Sequence, residues 1–365
     1  MPTPLNTPTT DWYAAFRSPS FDGLPALDEA LYAAAARPSS EAAHAPSWDV
    51  GAHVNRGTAA EINASARAEV GRGATALLFR LYRQPGPADL DVILDGLDPT
   101  RVNFHCSLRY PGQDPAELFR DLVKALRRRD IPFGDVRGSV DFDPLLDWSE
   151  PPFPPLIRLL FFVSRWMPGF RVLQVNAAGF NSGAAAADSE LALTLAKGEA
   201  YLREVAERGY PAALASRHLQ FAFTLGSSPA VDAAKLRAFH LLWPRVCAQL
   251  GISDPAGTCV SAYSDVALLR DNAAETTALL RSQACSAALG EVDTLFLAPV
   301  ATPDAAPTPG TRDRAISLAR AAADFQPAPE VDAAIDELAR HLADAAWERY
   351  HDLAEQGGFV AASSL

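Results

Sequence analysis

The chain has 365 residues, 48% of them hydrophobic, with a formal net charge of −12 and a pI near 5.1. There is enough apolar material for a sizeable core, and the acidic balance argues against a nucleic-acid duplex or an anionic membrane as partner. The most apolar window, Leu156–Met167, is too short to cross a bilayer and contains Arg158 and Arg165, and no stretch has the charged-then-apolar order of a signal peptide. A cytoplasmic location is expected. Cys106, Cys247, Cys259 and Cys285 are widely spaced without a CxxC pair and read as buried free thiols.

Residues 1–47 are rich in proline, serine, threonine and alanine, with a helix at Leu27–Ala36. They read as an extension that lies on the rest of the chain or on a partner, with disorder expected in the first ten residues. From Trp48 short β-type runs alternate with helical runs. The expected strands are Val50–Asn55, Thr75–Leu81, Val102–Leu108, Val136–Phe142, Val172–Val175, Leu219–Leu225, Thr258–Ala262 and Asp293–Ala298. The intervening helices are Ala59–Val70, Ala88–Leu97, one starting at Pro115 with Asp114 as cap, Leu156–Trp166, a long one after Gly183, Val231–Leu250, Ala273–Leu289 and Arg312–Ala323. Arg127–Arg129 ends the third of these and complements its dipole. On the long helix Leu191, Leu195, Gly198, Leu202 and Val205 form one stripe. Glu190, Lys197, Arg203, Glu204 and Glu207 are assigned to the other sides, and Gly209 to the stop. A terminal helix, Val331–Gln356, follows, with Gly357-Gly358 as its cap.

Eight β–α units in succession predict an α/β fold, a (β/α)8 TIM-type barrel over residues 48–330, with the N-terminal extension 1–47 before it and the C-terminal helical segment 331–365 packed on it. Function in such a barrel belongs at the C-terminal ends of the strands. The polar residues expected there include Asn55, Arg56, Arg80, Ser107, Arg109, Asp141, Asp143, Asn176, Asn181, Thr224, Tyr263 and Asp265. Arginines and aspartates on one rim either grip an anion or pair with each other, and without a matched nucleophile and base, pairing is the favoured reading. His53 and His105 lie within strands and read as core histidines. HExxH, GxSxG, P-loop and dinucleotide-binding patterns are absent from the sequence.

The run Gly183–Gly198, GAAAADSELALTLAKG, followed by Tyr201-Leu202-Arg203, resembles the barrel segment of the adenosylcobalamin-dependent methylmalonyl-CoA mutase family, YH-x-x-x-AGA-x-x-x-x-ELA-x-x-LA-x-G-x-x-YLR. Trp48-Asp49-Val50, Gly73–Arg80, Met167–Phe170, Lys235–Ala238 with Leu242-Trp243, and Leu342–Trp347 resemble further family segments, the first two those of its small subunit. An ungapped alignment puts Gly179 at the family's catalytic histidine. The DxHxxG cobalt-ligating motif does not occur, and the TSGWSLT strand motif appears only as Val260–Asp265. One family arginine that holds the acyl-CoA corresponds to Arg158 if one residue is inserted.

The resemblance therefore implies a degenerate barrel with no catalytic residue of its own, binding neither metal nor cofactor. It would be the small subunit of a heterodimer whose large catalytic subunit holds adenosylcobalamin and interconverts methylmalonyl-CoA and succinyl-CoA. Two other readings stand beside it: the substrate barrel of a split acyl-CoA mutase served by a separate cobalamin-domain chain, and a repurposed barrel lyase or hydrolase using Arg56, Arg80, Asp141 or Asp143.

Overall fold

The computed structural model describes residues 24–36, 48–108, 115–147, 153–253 and 258–362. In chain order its elements are α1 (Leu24–Ala36), β1 (Asp49–His53), α2 (Ala59–Gly71), β2 (Ala76–Leu81), α3 (Pro87–Ile93), β3 (Asn103–Leu108), α4 (Pro115–Arg128) and β4 (Gly138–Val140). Then come α5 (Pro144–Asp147), α6 (Phe153–Trp166), β5 (Phe170–Arg171), β6 (Leu173–Asn176), α7 (Ala187–Glu207), α8 (Ala212–Ser216), β7 (Leu219–Leu225) and α9 (Pro229–Gln249). The chain finishes with β8 (Cys259–Ser264), α10 (Ala273–Leu289), β9 (Thr294–Phe296), α11 (Pro309–Ala321), α12 (Pro329–Glu355) and α13 (Gly358–Ala362).

All nine strand segments pair in parallel, in the order β5-β4-β3-β2-β1-β9-β8-β7-β6. The segments β5 and β6 flank a single residue, Val172, so the sheet closes on itself and the architecture is the expected eight-stranded barrel. The expected strand Val172–Val175 is thus divided. The N–H groups of Val172 and Leu173 both turn to the His218 carbonyl, at 3.0 and 3.2 Å, while Gln174 N–H reaches the Phe142 carbonyl at 3.0 Å. His218 holds this seam through its own ring, with Nδ1 2.7 Å from the Phe170 carbonyl and Nε2 2.9 Å from Ser164 Oγ. The expected strand Val136–Phe142 pairs only over Gly138–Val140. The Asp114 cap lies outside the described residues.

Caps start the helices where side-chain chemistry allows it. Thr58 and Glu61 form a reciprocal capping box on α2, Ser228 caps α9 and Asn272 caps α10. Arg128 and Arg129, at the end of α4, reach back to Asp91 in α3 rather than standing free. The helix expected in the extension lies on the barrel. Asp28 of α1 accepts from Ser228 Oγ at 2.8 Å and from Ala230 N–H at 2.9 Å, and Tyr32 donates to the Ser227 carbonyl at 2.8 Å. The terminal helix α12 buries Ile335, Leu338, Leu342, Ala346 and Tyr350. Arg237 of α9 joins it to the barrel through Asp332 and Asp336, at 2.7 and 2.6 Å.

Helix α7 departs from its amphipathic reading. Leu191, Leu195, Gly198, Leu202 and Val205 are buried as expected, but so are Glu190 and Lys197, and 14 of the helix's 21 residues are buried in all. The helix is enclosed by the barrel wall, α9 and α12, so it has no broad wet side. Gly198 marks the closest approach: a Cβ there would lie 2.6 Å from the Trp243 ring and 3.2 Å from the Phe221 ring. Gly209, at φ +83°, stops the helix as expected. Among the described residues no helix is long and apolar enough to cross a membrane, and no group of His, Cys, Asp or Glu is arranged to hold a metal ion.

Candidate functional site

Alternation along the strands decides which side chains enter the barrel. His53, Leu78, His105 and Ser139 are register neighbours across β1, β2, β3 and β4. They meet Phe296 of β9, which is fully buried. Tyr263 of β8 stacks flat on Phe296, with centroids 4.9 Å apart and planes 9° apart. His105 and His53 pack against the same ring at 5.4 and 5.8 Å. Its register neighbour on the adjoining strand β1, Gly51, leaves room for that ring: a Cβ at Gly51 would lie 2.3 Å from it. Deeper in, Gln220 donates to Gln174 at 2.6 Å, and Asn103 and Thr75 donate to Asp49. Side chains from six strands thus fill the lumen at the level of Phe296.

His105 behaves as the hydrogen-bonded core residue expected, whereas His53 packs into the lumen with its Nδ1 buried and without a hydrogen-bond partner among the described residues. His105 Nδ1 lies 2.8 Å from Ser139 Oγ, and burial holds its pKa down at about 4. Burial, reinforced by the positive charges of Arg80 and Arg312, holds His53 at about 3. Both rings are neutral in the fold at pH 7, whereas an unfolded imidazole protonates near 6.5. As pH falls below 6.5 the unfolded chain takes up protons that the folded chain refuses. These two residues therefore withdraw stability progressively, down to about pH 4 for His105 and about pH 3 for His53. The expected NMR result is that neither ring titrates between pH 7 and 5, and that His105→Gln makes the loss of stability over that interval shallower. A midpoint near 6.5 for either ring would contradict its placement in the lumen.

At the C-terminal ends of the strands, buried ion pairs tie the strand ends and loops to the outer helices. Asp143, after β4, accepts from Lys197 Nζ at 2.6 Å, Tyr201 OH at 2.5 Å and Asn176 N–H at 3.2 Å. Lys197 also lies beneath the rings of Phe180 and Phe359, 5.7 and 5.4 Å from their centroids. Beside this, Lys235 of α9 donates to both oxygens of Glu190, at 3.1 and 3.0 Å, and to the Thr224 carbonyl at 3.1 Å. Asp232 accepts from Gly226 N–H at 2.7 Å, and burial pushes its carboxyl up to about 7. On the far side Arg312 of α11 reaches Glu69, the His53 carbonyl and Asn55.

These contacts place the residues expected at the rim. Asn55 is held by Arg312. Asp141 accepts from Ser107 Oγ and Leu108 N–H, both at 2.7 Å, and ties the ends of β3 and β4 together. Asn181 donates to Glu190 at 2.9 Å. Tyr263 is in the lumen rather than at the rim, and burial raises its phenol well above the usual range. Arg56 and Arg80 stand over β1 and β2, where Arg56 lies 5.5 Å above the Tyr82 ring. Arg109 lies outside the described residues. Arg158 is on the outer surface, in a groove between α4 and α6 lined by Phe119, Val123, Leu159 and Phe162. Gly179 sits in the turn after β6, exposed, with open space where a side chain would project.

Sequence reasoning missed Lys197, Tyr201, Glu190, Lys235 and Arg312. One signal was available on α7: Glu190, Thr194, Lys197 and Tyr201 are spaced as a second helical stripe beside the leucines. The four cysteines are free, as expected, and burial pushes each thiol up to about 12.

The chain is 29% identical over 329 residues to a probable methylmalonyl-CoA mutase small subunit of Mycobacterium tuberculosis, covering 84% of this chain and 52% of that protein. It is 26% identical to the methylmalonyl-CoA mutase small subunits of Streptomyces virginiae, over 86% of this chain and 53% of that one, and of Propionibacterium freudenreichii, over 79% and 47%. The chain thus spans about half the length of these relatives. The methylmalonyl-CoA mutase family model matches residues 87–364, most of the barrel and the helix behind it, and the chain belongs to that family.

Proposed function

We propose that this chain is the non-catalytic barrel of the small subunit of a heterodimeric methylmalonyl-CoA mutase. In this reading a large partner subunit holds adenosylcobalamin and acyl-CoA and carries out the isomerisation. The observation that carries the proposal is the filled lumen. A radical mutase has to enclose an acyl thioester inside its barrel before the cofactor's radical forms. Here Phe296, Tyr263, Leu78, His53 and His105 occupy that space. A donor to the thioester carbonyl is also needed, and Gly179 cannot supply one.

The mouth residues do not fit adenosylcobalamin either. Asp143, Lys197, Glu190 and Lys235 are already paired with one another, and no imidazole stands on the turn after β6. The filled lumen also weighs against the substrate barrel of a split mutase. What remains intact is scaffold: a closed barrel, α1 pinned to the α9 cap and α12 covering α7 and α9. This suits a chain whose role is to support a sister subunit in the cytoplasm. Co-expression with the large subunit tests the reading. The two chains are expected to co-purify, and the large subunit's thermal midpoint to rise when this chain is present. Failure to co-purify together with an unchanged midpoint would reject it.

A further inference from the structure

The mouth of the barrel is electrostatically uneven. Beside β4, β6 and β7, Asp143 is paired with Lys197 and Glu190 with Lys235, all buried. Over β1 and β2 the mouth opens into a cleft of about 460 Å³ lined by Arg56, Arg80, Arg83, Tyr82, Ile62 and Ile93, among others. In a chain of net charge −12, three guanidinium groups share this cleft with one lining carboxylate, Asp89. Asp89 is already engaged: it accepts from Arg83 at 2.7 Å and from Gly86 N–H at 3.2 Å. Glu61, at the start of α2, turns its carboxylate onto the N–H and Oγ of Thr58, both at 2.8 Å. Arg312, behind the cleft, is taken by Glu69. That leaves Arg56 and Arg80, both exposed, with no carboxylate partner among the described residues. Arg56 is oriented by the Tyr82 ring below it, and Arg80 rises from the end of a strand fixed on both sides.

Two guanidinium groups at one concave site, Arg56 in the loop after β1 and Arg80 near the end of β2, beside an apolar lining, are suited to a planar or tetrahedral oxyanion. We propose that this cleft binds a small phosphate- or carboxylate-bearing molecule, its oxyanion between Arg56 and Arg80 and a short apolar body against Ile62, Leu81 and Ile93. The site is independent of the role assigned to the lumen, since neither Phe296 nor Tyr263 is among the residues that line it.

The test uses the whole chain and two probes with the same body and different heads, butyl phosphate and butyrate. Each is titrated by calorimetry and followed at the arginine Nε–H resonances. At least one probe is expected to saturate, with shifts at Arg56 and Arg80 and weakening as salt is raised. Arg56→Gln/Arg80→Gln is expected to weaken that binding by about tenfold or more, while Arg165→Gln on α6 leaves it unchanged. Saturation by butyl phosphate alone assigns a phosphate ligand, and saturation by butyrate alone a carboxylate. Saturation by neither, or binding that survives the double substitution in a folded variant, overturns the proposal.

Discussion

Replacing Lys197 with methionine is expected to remove about 3–5 kcal/mol of stability, because it strands the Asp143 carboxylate in a buried site. The Lys197 side chain is 0% exposed and Asp143 is 8% exposed, so neither charge has water to fall back on. The pair itself stabilises the fold far less than its loss would cost, since bringing both ions out of water offsets most of their attraction. The second variant follows from that asymmetry. Lys197→Met/Asp143→Asn removes both charges, keeps an acceptor for Asn176 N–H and leaves a donor toward Tyr201, so it is expected to recover most of the loss. Urea denaturation of the two variants and the parent decides the matter. A loss below about 1 kcal/mol in the single variant, the range of exposed pairs, would mean that the ammonium reaches solvent and that the pair is not buried.

Phe296→Ala is expected to cost about 3–5 kcal/mol, the range for truncating a fully buried aromatic ring. A stability loss alone would not separate a lumen plug from any other core ring, but Gly51 does. Because a Cβ at Gly51 would lie 2.3 Å from the Phe296 ring, Gly51→Ala is expected to destabilise the parent by about 1–3 kcal/mol. In the Phe296→Ala background the same methyl enters vacated space and should be nearly neutral or stabilising. The two losses should therefore fall short of additivity by about 1 kcal/mol or more. Strict additivity would mean that Phe296 does not occupy the space beside Gly51 and that the lumen is not plugged there.

These two experiments probe one physical question from two heights in the barrel. A tube that handles a substrate keeps its axis open and holds polar groups ready at the mouth. Here an aromatic stack closes the axis, and the charged groups beside β4, β6 and β7 bind each other. The cleft over β1 and β2 differs, because Arg56 and Arg80 there have no carboxylate partner among the described residues.

Amino-acid order alone determined the succession of elements. Eight β-type runs separated by helical periodicities, with glycine and proline between them, leave few architectures besides a barrel. Leu219–Leu225 and Ala273–Leu289 have the same limits in the sequence reading and in the fold. The ELA, LA-x-G and YLR elements on α7 were likewise legible. What stayed hidden is whatever depends on which way a side chain points once both of its surroundings are buried. Parallel strands are covered on both faces, so Phe296 in its apolar run carries no mark of facing inward, and only register against Tyr263 and Gly51 puts it on the axis. Helix α7 is enclosed on several sides, so Glu190 and Lys197, assigned to water by their charge, are buried instead. Their partners, Lys235 and Asp143, lie 45 and 54 residues away in the chain. No local periodicity can encode such a pairing; closure of the barrel brings those carboxylates and ammonium groups together, and their desolvation makes the pairing obligatory.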